Sequence, residues 1–265
     1  MIFKQEFKWN VKALMIWSII LGGLVFLMMQ IYPDFAKQQG NLEALLEAYP
    51  EGIKKAFNMD RLSMGTVLGF YAIEGYMLIT LIGSIYVVLL AGNILAKEEG
   101  EKTIEFLLSK PISRTSLLSQ KLAVVILNIV LFNLFVSLIN GTGFLLVDDG
   151  TFEWYPYVLM SVAPILLHLT FASFAFLLSA ILKKGRQILS VTVGVVFITY
   201  FLQVISSVSE KLEGLKFLSP FVYVDAADII IDERIKGVYL LIMLTIMILN
   251  ITATFLIYRK KDIAV

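Results

Sequence analysis

The sequence contains no cysteine, a single histidine and few charged side chains. Without cysteine, the chain can form neither a disulfide framework nor a thiolate metal site. One histidine, His168, supplies neither a catalytic triad nor a cluster of metal ligands. The chain also lacks the Gly-x-x-x-x-Gly-Lys-Ser/Thr loop that binds nucleotide phosphates. We therefore expect no catalytic residue, no bound metal and no cofactor in this chain.

Hydrophobic residues are abundant instead. They make up 58% of the 265 residues, and the mean hydropathy is +0.84, whereas a soluble domain is about half apolar. Because lipid offers no partners for backbone polar groups, apolar runs that cross a bilayer must be helical, and each needs about 20 residues. The sequence predicts an all-α integral membrane protein, with one domain over residues 1–265. Its six transmembrane helices are expected at about 12–32, 65–95, 117–147, 156–182, 187–208 and 237–258.

The charged residues divide unequally between the two ends of these helices. If both termini are cytoplasmic, 14 of the 22 lysines and arginines lie inside, and 14 of the 21 acidic residues lie outside. The positive-inside rule favours this orientation. We predict a multi-pass protein of a bacterial cytoplasmic membrane, with both termini in the cytoplasm. The net charge of +1 gives no reason to expect a nucleic-acid partner.

The first 12 residues predict an amphipathic helix that lies in the inner membrane interface and then turns into the first span. One stripe of this helix is apolar and another is basic: Phe3, Phe7, Val11 and Leu14 form the first, and Lys4, Lys8 and Lys12 form the second. By itself, this pattern fits an anchor to lipid headgroups.

A charged, amphipathic stretch at 98–121 connects the second and third apolar runs. In it, Ile104, Leu107 and Leu108 recur at i, i+3 and i+4, so they share one face of a helix. Pro111 disfavours helical dihedrals at the residue before it and should end this helix. Beyond the proline, either Ser113 or Thr115 can cap the start of the next helix. The pattern predicts a short cytosolic helix held between two membrane spans.

This stretch resembles the signature loop in the permease subunits of type-2 ATP-binding-cassette (ABC) exporters. The matching residues are Glu98, Thr103, Ile104, Glu105, Leu107, Leu108, Ser109, Pro111, Ile112, Ser113, Arg114 and Lys121, while Lys102 stands where the family usually has glycine. A second similarity, to the segment before the last span of such permeases, is Leu218-Ser219-Pro220-Phe221 with Tyr223. Together with the six spans, the resemblance covers the whole chain.

The resemblance implies that residues 98–109 form a coupling helix, which binds a separate ABC ATPase. The expected contacts with the ATPase are Glu98, Glu101, Thr103, Ile104, Glu105, Leu107, Leu108, Pro111 and Arg114. It also implies two permeases, as a homodimer or a heterodimer with a paralogue, and two ATPases that hold ATP and Mg. In this family the N-terminal helix touches the ATPase as well. The expected function is export of a hydrophobic or amphipathic peptide, antibiotic or lipid, along a pathway between the two permeases.

Polar residues within the spans are the candidates for lining that pathway. Asn133, Ser137 and Asn140 recur at i, i+4 and i+7 on one face of the third span. Helix–helix hydrogen bonding is the first explanation for such residues, and a polar strip that lines the pathway is the alternative. Glu74 lies early in the second span, and a charge at the centre of a span costs about 2.5–3.5 kcal/mol. It either faces a cavity or lies at the outer interface without touching substrate. For His168 we expect a structural role.

A polytopic membrane enzyme, a membrane sensor and an ABC permease for ions are the alternatives. An enzyme would need a cluster of carboxylate, histidine or cysteine side chains at one membrane face, and the sequence shows no such cluster. A sensor would need a further soluble domain, for which every loop is too short. The apolar faces of the spans favour hydrophobic or amphipathic cargo over ions.

Overall fold

The structure, a computed structural model, describes residues 2–37, 49–100, 112–147, 152–182, 185–208 and 210–261. Every regular element in these ranges is helical. The α-helices are α1 (Ile2–Ala36), α2 (Glu51–Ala56), α3 (Val67–Phe70), α4 (Met77–Gly100), α5 (Arg114–Val147), α6 (Trp154–Ile181), α7 (Gly185–Val208), α8 (Ala226–Asp232) and α9 (Gly237–Lys260). A π-helical segment, Tyr71–Tyr76, joins α3 to α4, and two 3-10 helices, Glu210–Leu218 and Pro220–Val224, precede α8.

Six helices in the described ranges are long and apolar enough to cross a membrane, which confirms the predicted number of spans. They are Ile2–Ala36, Val67–Lys97, Arg114–Val147, Trp154–Ile181, Gly185–Val208 and Gly237–Lys260. Five of them begin within a few residues of the predicted starts, because a span is defined mainly by its local apolar length. The cytoplasmic location of the termini stays a prediction.

The N-terminal segment differs from the prediction. No turn separates residues 2–12 from the first span, because α1 is one uninterrupted helix of 35 residues. At 1.5 Å per residue it is about 52 Å long, well beyond the ~30 Å of a hydrocarbon core. The apolar stripe of its first turns explains the difference, since Phe3 and Phe7 pack against the protein core and Leu14 is buried there. The contact of this segment with lipid headgroups stays a prediction.

The long helices pack as two groups. In the first group, α1 packs along α5, and in the second, α4 packs against α6 and α7 while α9 packs on α6. Small residues allow the close contacts within each group. A Cβ on Gly22 would lie 2.9 Å from Cδ1 of Ile139 on α5, and a Cβ on Gly83 would lie 2.5 Å from the ring of His168 on α6. Contacts of α4 with α1 and α5 are much less extensive.

We call the segment between α4 and α5 the connector. The start of α1, the end of α9 and the helix ends that flank the connector lie on one side of the bundle, which we call the connector side. There Glu6, near the start of α1, contacts Lys97 on α4 and Lys121 on α5. The opposite side carries α2, both 3-10 helices and α8. A hydrogen bond from the side-chain amide of Asn58 to the carboxylate of Asp225 joins the segment after α2 to the start of α8.

Candidate translocation and coupling sites

Most of the predicted coupling residues lie outside the described residues. This holds for Glu101, Thr103, Ile104, Glu105, Leu107, Leu108 and Pro111, and for the side chain of Glu98. Their contact with an ATPase therefore stays a prediction. The structure does describe the two flanks of the connector, where α4 leads into it and α5 leaves it.

The start of α5 is capped as the sequence predicts. The Ser113 side-chain oxygen accepts a hydrogen bond from the backbone N–H of Ser116 at 3.2 Å. A serine in this position satisfies one of the N–H groups that have no partner within the helix. Of the two predicted caps, Ser113 is therefore the one that the structure shows.

Arg114 ties the downstream flank of the connector to the end of the last span. Its Nη1 donates to the backbone oxygens of Tyr258 and Arg259, both at 3.3 Å, and of Lys261 at 2.7 Å. The last carbonyls of a helix lack partners and carry partial negative charge, so a guanidinium stabilises them. A further contact of Arg114 with an ATPase stays a prediction.

Glu6, Lys97 and Lys121 form an ion cluster at the connector side. Glu6 Oε2 lies 2.6 Å from Lys97 Nζ, and Glu6 Oε1 lies 2.8 Å from Lys121 Nζ. Lys121 Nζ also donates to the backbone oxygen of Ile94 on α4 at 2.6 Å. The side chains of Glu6 and Lys121 are only 3% and 1% exposed. Three helices, α1, α4 and α5, are therefore linked through one carboxylate.

Sequence reasoning did not identify this cluster, although it contained two signals. Lys121 falls inside the predicted third span, where a charged side chain needs a partner. Glu6 is the one acidic residue among the basic residues of the N-terminal helix. The pairing itself could not be predicted, because the partners of Glu6 lie 91 and 115 positions away.

A cleft separates α1 from α4 next to the ion cluster. It has a volume of about 200 Å³, and its lining combines polar and aromatic side chains with leucines: Asn10, Trp17, Tyr86, Leu89, Leu90, Asn93 and Lys97. The ammonium group of Lys97 stands 4.4 Å from the centre of the Trp9 ring, a cation–π contact. The cleft thus has a basic and amide-lined end at the connector side and an apolar, aromatic interior.

Glu74 lies in the π-helical segment and is partly exposed. Its side chain makes no hydrogen bond or ion pair with the described residues. Partly or fully exposed residues continue from it along α4 at helical spacing, through Leu78, Ile85 and Leu89 to Asn93. We call this stripe the open face of α4. Single π-helical turns within α-helices occur frequently at functional sites, so Glu74 remains a candidate for the pathway.

The predicted polar strip of the third span points into the bundle. Asn133 and Asn140 are buried on α5, and only Ser137 is partly exposed. The Asn133 amide donates to the backbone oxygen of Ile129 in its own helix, and the Ser137 backbone oxygen accepts from the Tyr157 hydroxyl. These contacts favour hydrogen bonding within the bundle, so a role in lining a pathway stays a prediction.

His168 is fully buried between α4, α5 and α6. Its ring lies against Gly83 and packs on Phe132, with ring centroids 5.9 Å apart. No group of three or more His, Cys, Asp or Glu side chains among the described residues could hold a metal ion. His168 is thus packed within the bundle, and its structural role stays a prediction.

On the side opposite the connector, an ionic network joins the segment after α2 to α8 and α9. Arg61 lies 3.3 Å from Asp225 and 2.6 Å from Asp228, and Lys236 lies 2.5 Å from Asp228. Asn58 adds a hydrogen bond to Asp225. A polar cavity of about 360 Å³ opens beside these residues. The network holds the short helices of this side over the ends of the spans.

The two aspartates of this network have opposite pKa shifts. Burial raises the pKa of Asp225 above its usual value, although Asn58 donates to it. Burial acts in the same direction on Asp228, but hydrogen bonds from Lys236 and Arg61 outweigh it and lower the pKa of Asp228. A lowered pKa means that the charged carboxylate stabilises the fold above the pKa of an unfolded aspartate, about 3.9, and that this stability is lost as the pH falls below it.

We therefore expect the stabilisation by charged Asp228 to be lost in acid, and Asp228→Asn to remove this part of the pH dependence. The substitution should cost about 1.5–3 kcal/mol at neutral pH, the value of hydrogen bonds to a charged group. Thermal unfolding of the purified protein between about pH 7 and pH 3 measures both effects. Glu213→Gln is the control, because its pair with Lys216 is exposed and such pairs contribute little. Equal acid sensitivity of wild type and Asp228→Asn would contradict the assignment.

Comparison with protein families shows that residues 1–263 match the model of the ABC-2 family transporter protein. A comparison with curated proteins finds no match. The family match spans nearly the whole chain and agrees with the six membrane-type helices. It also agrees with the resemblance of the 98–121 stretch to an exporter permease. The chain therefore belongs to the ABC-2 transporter family, as a multi-pass membrane protein.

Proposed function

We propose that this protein is the membrane-spanning subunit of an ABC exporter, and that it moves a hydrophobic or amphipathic substrate. A separate ATPase, present in two copies, binds ATP and Mg and drives transport through the coupling helix at 98–109. Two permeases, either identical or paralogous, enclose the pathway. Membership of the ABC-2 family is the observation that carries this proposal, because members of such families work with an ABC ATPase.

The position of the connector supports the coupling role. It runs from α4, which packs in one helix group, to α5, which packs in the other. A push on the connector therefore acts on both groups at once. Long uninterrupted helices, α4 through Gly100 and α5 from Arg114, flank it and would carry the displacement into the membrane.

The open face of α4 supports the location of the pathway. A carboxylate and an amide on a lipid-facing stripe would be costly, so we expect another surface or water to cover Glu74 and Asn93. A second permease copy that leaves a pathway along this stripe would do so. Because the stripe is mostly apolar between these two polar residues, an amphipathic substrate fits it better than an ion.

Reconstitution tests the proposal. The protein, purified with a candidate ABC ATPase from a neighbouring reading frame and inserted into vesicles, should transport a member of a panel of peptides, lipids and antibiotics only when ATP is present. A catalytically inactive ATPase is the control. If no ATPase co-purifies and no ATP-dependent transport occurs, a permease role is wrong for this chain, and a sensor or enzyme has to be considered.

Glu74→Gln tests the pathway within the same assay. If Glu74 faces the pathway, neutralising it should change the substrate-stimulated ATP hydrolysis or the transport rate by about tenfold, which corresponds to ~1.4 kcal/mol. Expression and assembly should stay normal, because Glu74 has no ionic partner among the described residues to lose. Asp34→Asn, at the exposed end of α1, is the control. Wild-type transport of all substrates by Glu74→Gln would place this residue outside the pathway.

A further inference from the structure

The cleft between α1 and α4 raises the question of what holds the two helix groups together. Contacts between the groups are sparse along the spans compared with those inside each group. At the connector side, the cleft ends at Lys97, which Glu6 binds from across the cleft. The Glu6 carboxylate, on α1, therefore joins the groups at the point where the connector begins.

The geometry shows that Glu6 does more than neutralise a buried lysine. Lys121 is almost fully buried and needs a charged partner, which Glu6 Oε1 supplies. Lys97 is different, because its side chain is 22% exposed and could be solvated by water. The second oxygen of Glu6 nevertheless bonds Lys97 at 2.6 Å. This bond is not required to satisfy Lys97, so its consequence is the link between α1 and α4.

We propose that Glu6 is a positioning residue of the transport cycle. It holds the connector-side end of α4 against the α1–α5 pair, so that a displacement of the connector moves both helix groups as one body. Without this link, the connector-side end of α1 separates from α4 as the connector is displaced, and part of the energy of ATP is dissipated in opening the cleft between them. The proposal rests on the proposed function, since it assumes that the connector is displaced by an ATPase.

Glu6→Gln alone leaves Lys121 buried without a charged partner and is expected to impair folding. The informative comparison is therefore between Lys121→Met and the double variant Glu6→Gln/Lys121→Met, both of which remove the buried ammonium group. The two variants differ in the charged bond between Glu6 and Lys97. Both should assemble with the ATPase and hydrolyse ATP.

Transport per ATP hydrolysed is the first readout. We expect it to be at least about tenfold lower in Glu6→Gln/Lys121→Met than in Lys121→Met, a factor that corresponds to ~1.4 kcal/mol. If Glu6 had a purely structural role, the two variants would transport the same amount of substrate per ATP hydrolysed. The matched control is Asp34→Asn, which breaks an exposed ion pair with Lys37 at the other end of the same helix and should couple as wild type.

The separation of the helix groups is the second readout. Because the chain has no cysteine, spin labels can be placed at exposed positions of each group, Ser119 on α5 and Gln187 on α7. The distribution of distances between the labels should broaden toward longer values in the double variant. Equal coupling in the two variants, or an unchanged distance distribution, would overturn the proposal. If the wild type itself shows no ATP-driven transport, the proposed function fails. The distance measurement on the permease alone still tests whether Glu6 holds the two helix groups together.

Discussion

Replacement of Leu107 and Leu108 by serine is expected to separate ATP hydrolysis from transport. If residues 98–109 form a helix in a groove of the ATPase, these leucines and Ile104 are the apolar anchors of the contact. Removing a central anchor of an interface costs about 2 kcal/mol or more, which is roughly thirtyfold in affinity. Inverting a two-state equilibrium from 99:1 to 1:99 takes about 5.5 kcal/mol of differential binding. Loss of two anchors would therefore leave too little energy for the switch.

The readouts are co-purification with the ATPase, the rate of ATP hydrolysis and transport in vesicles. The spans should remain folded, since both positions lie between the described helices α4 and α5. Leu45→Ser/Leu46→Ser is the matched control, because it makes the same change in the part of the sequence that joins the first two spans. Wild-type levels of all three readouts in the Leu107→Ser/Leu108→Ser variant would show that the coupling assignment is wrong.

Gly83→Leu is expected to cause a large loss of stability within the spans. A Cβ at this position would lie 2.5 Å from ring atoms of His168 and 3.2 Å from Phe132. Neither ring can withdraw, because both are fully buried. Overpacking of a close contact typically costs about 1–3 kcal/mol, and this clash should approach or exceed the upper limit because it also forces α4 away from α6.

A thermal melting experiment on the detergent-solubilised protein measures this effect. His168→Ala in the same chain should recover part of the lost stability, since it frees the space that the leucine needs. Gly23→Leu is the control, because a Cβ on Gly23 meets nothing within 4 Å. A Gly83→Leu variant as stable as Gly23→Leu would contradict the close packing of α4 on α6.

Prediction from the sequence succeeded where the determining interactions are local. The six spans follow from the length of each apolar run, and the cap at Ser113 follows from the proline and serine near it. The family could also be recognised from the 98–121 stretch, because that motif is contiguous. The π-helical segment at Glu74 had no local signal and was not predicted.

Interactions between distant residues were decided by the tertiary structure alone. The link from Glu6 to Lys97 and Lys121, and the bonds of Arg114 to the end of α9, join positions about a hundred or more residues apart. The continuous α1 has the same origin, because its first turns are held by the protein against which Phe3 and Phe7 pack.

The class of protein, the number of spans and the position of the connector in the chain could all be read from the order of the residues. The face that each span turns to the interior depends instead on how the helices pack. In a soluble protein, the buried face of a helix can be recognised because apolar residues recur every three or four positions and polar residues occupy the opposite face. In a bilayer, the face that meets lipid is as apolar as the face that meets protein, so Asn133 and Asn140 could be assigned to one stripe but not to a direction. Packing against α1, α4 and α6 set that direction, and it turned both amides into the bundle while leaving Glu74 on the open face of its helix.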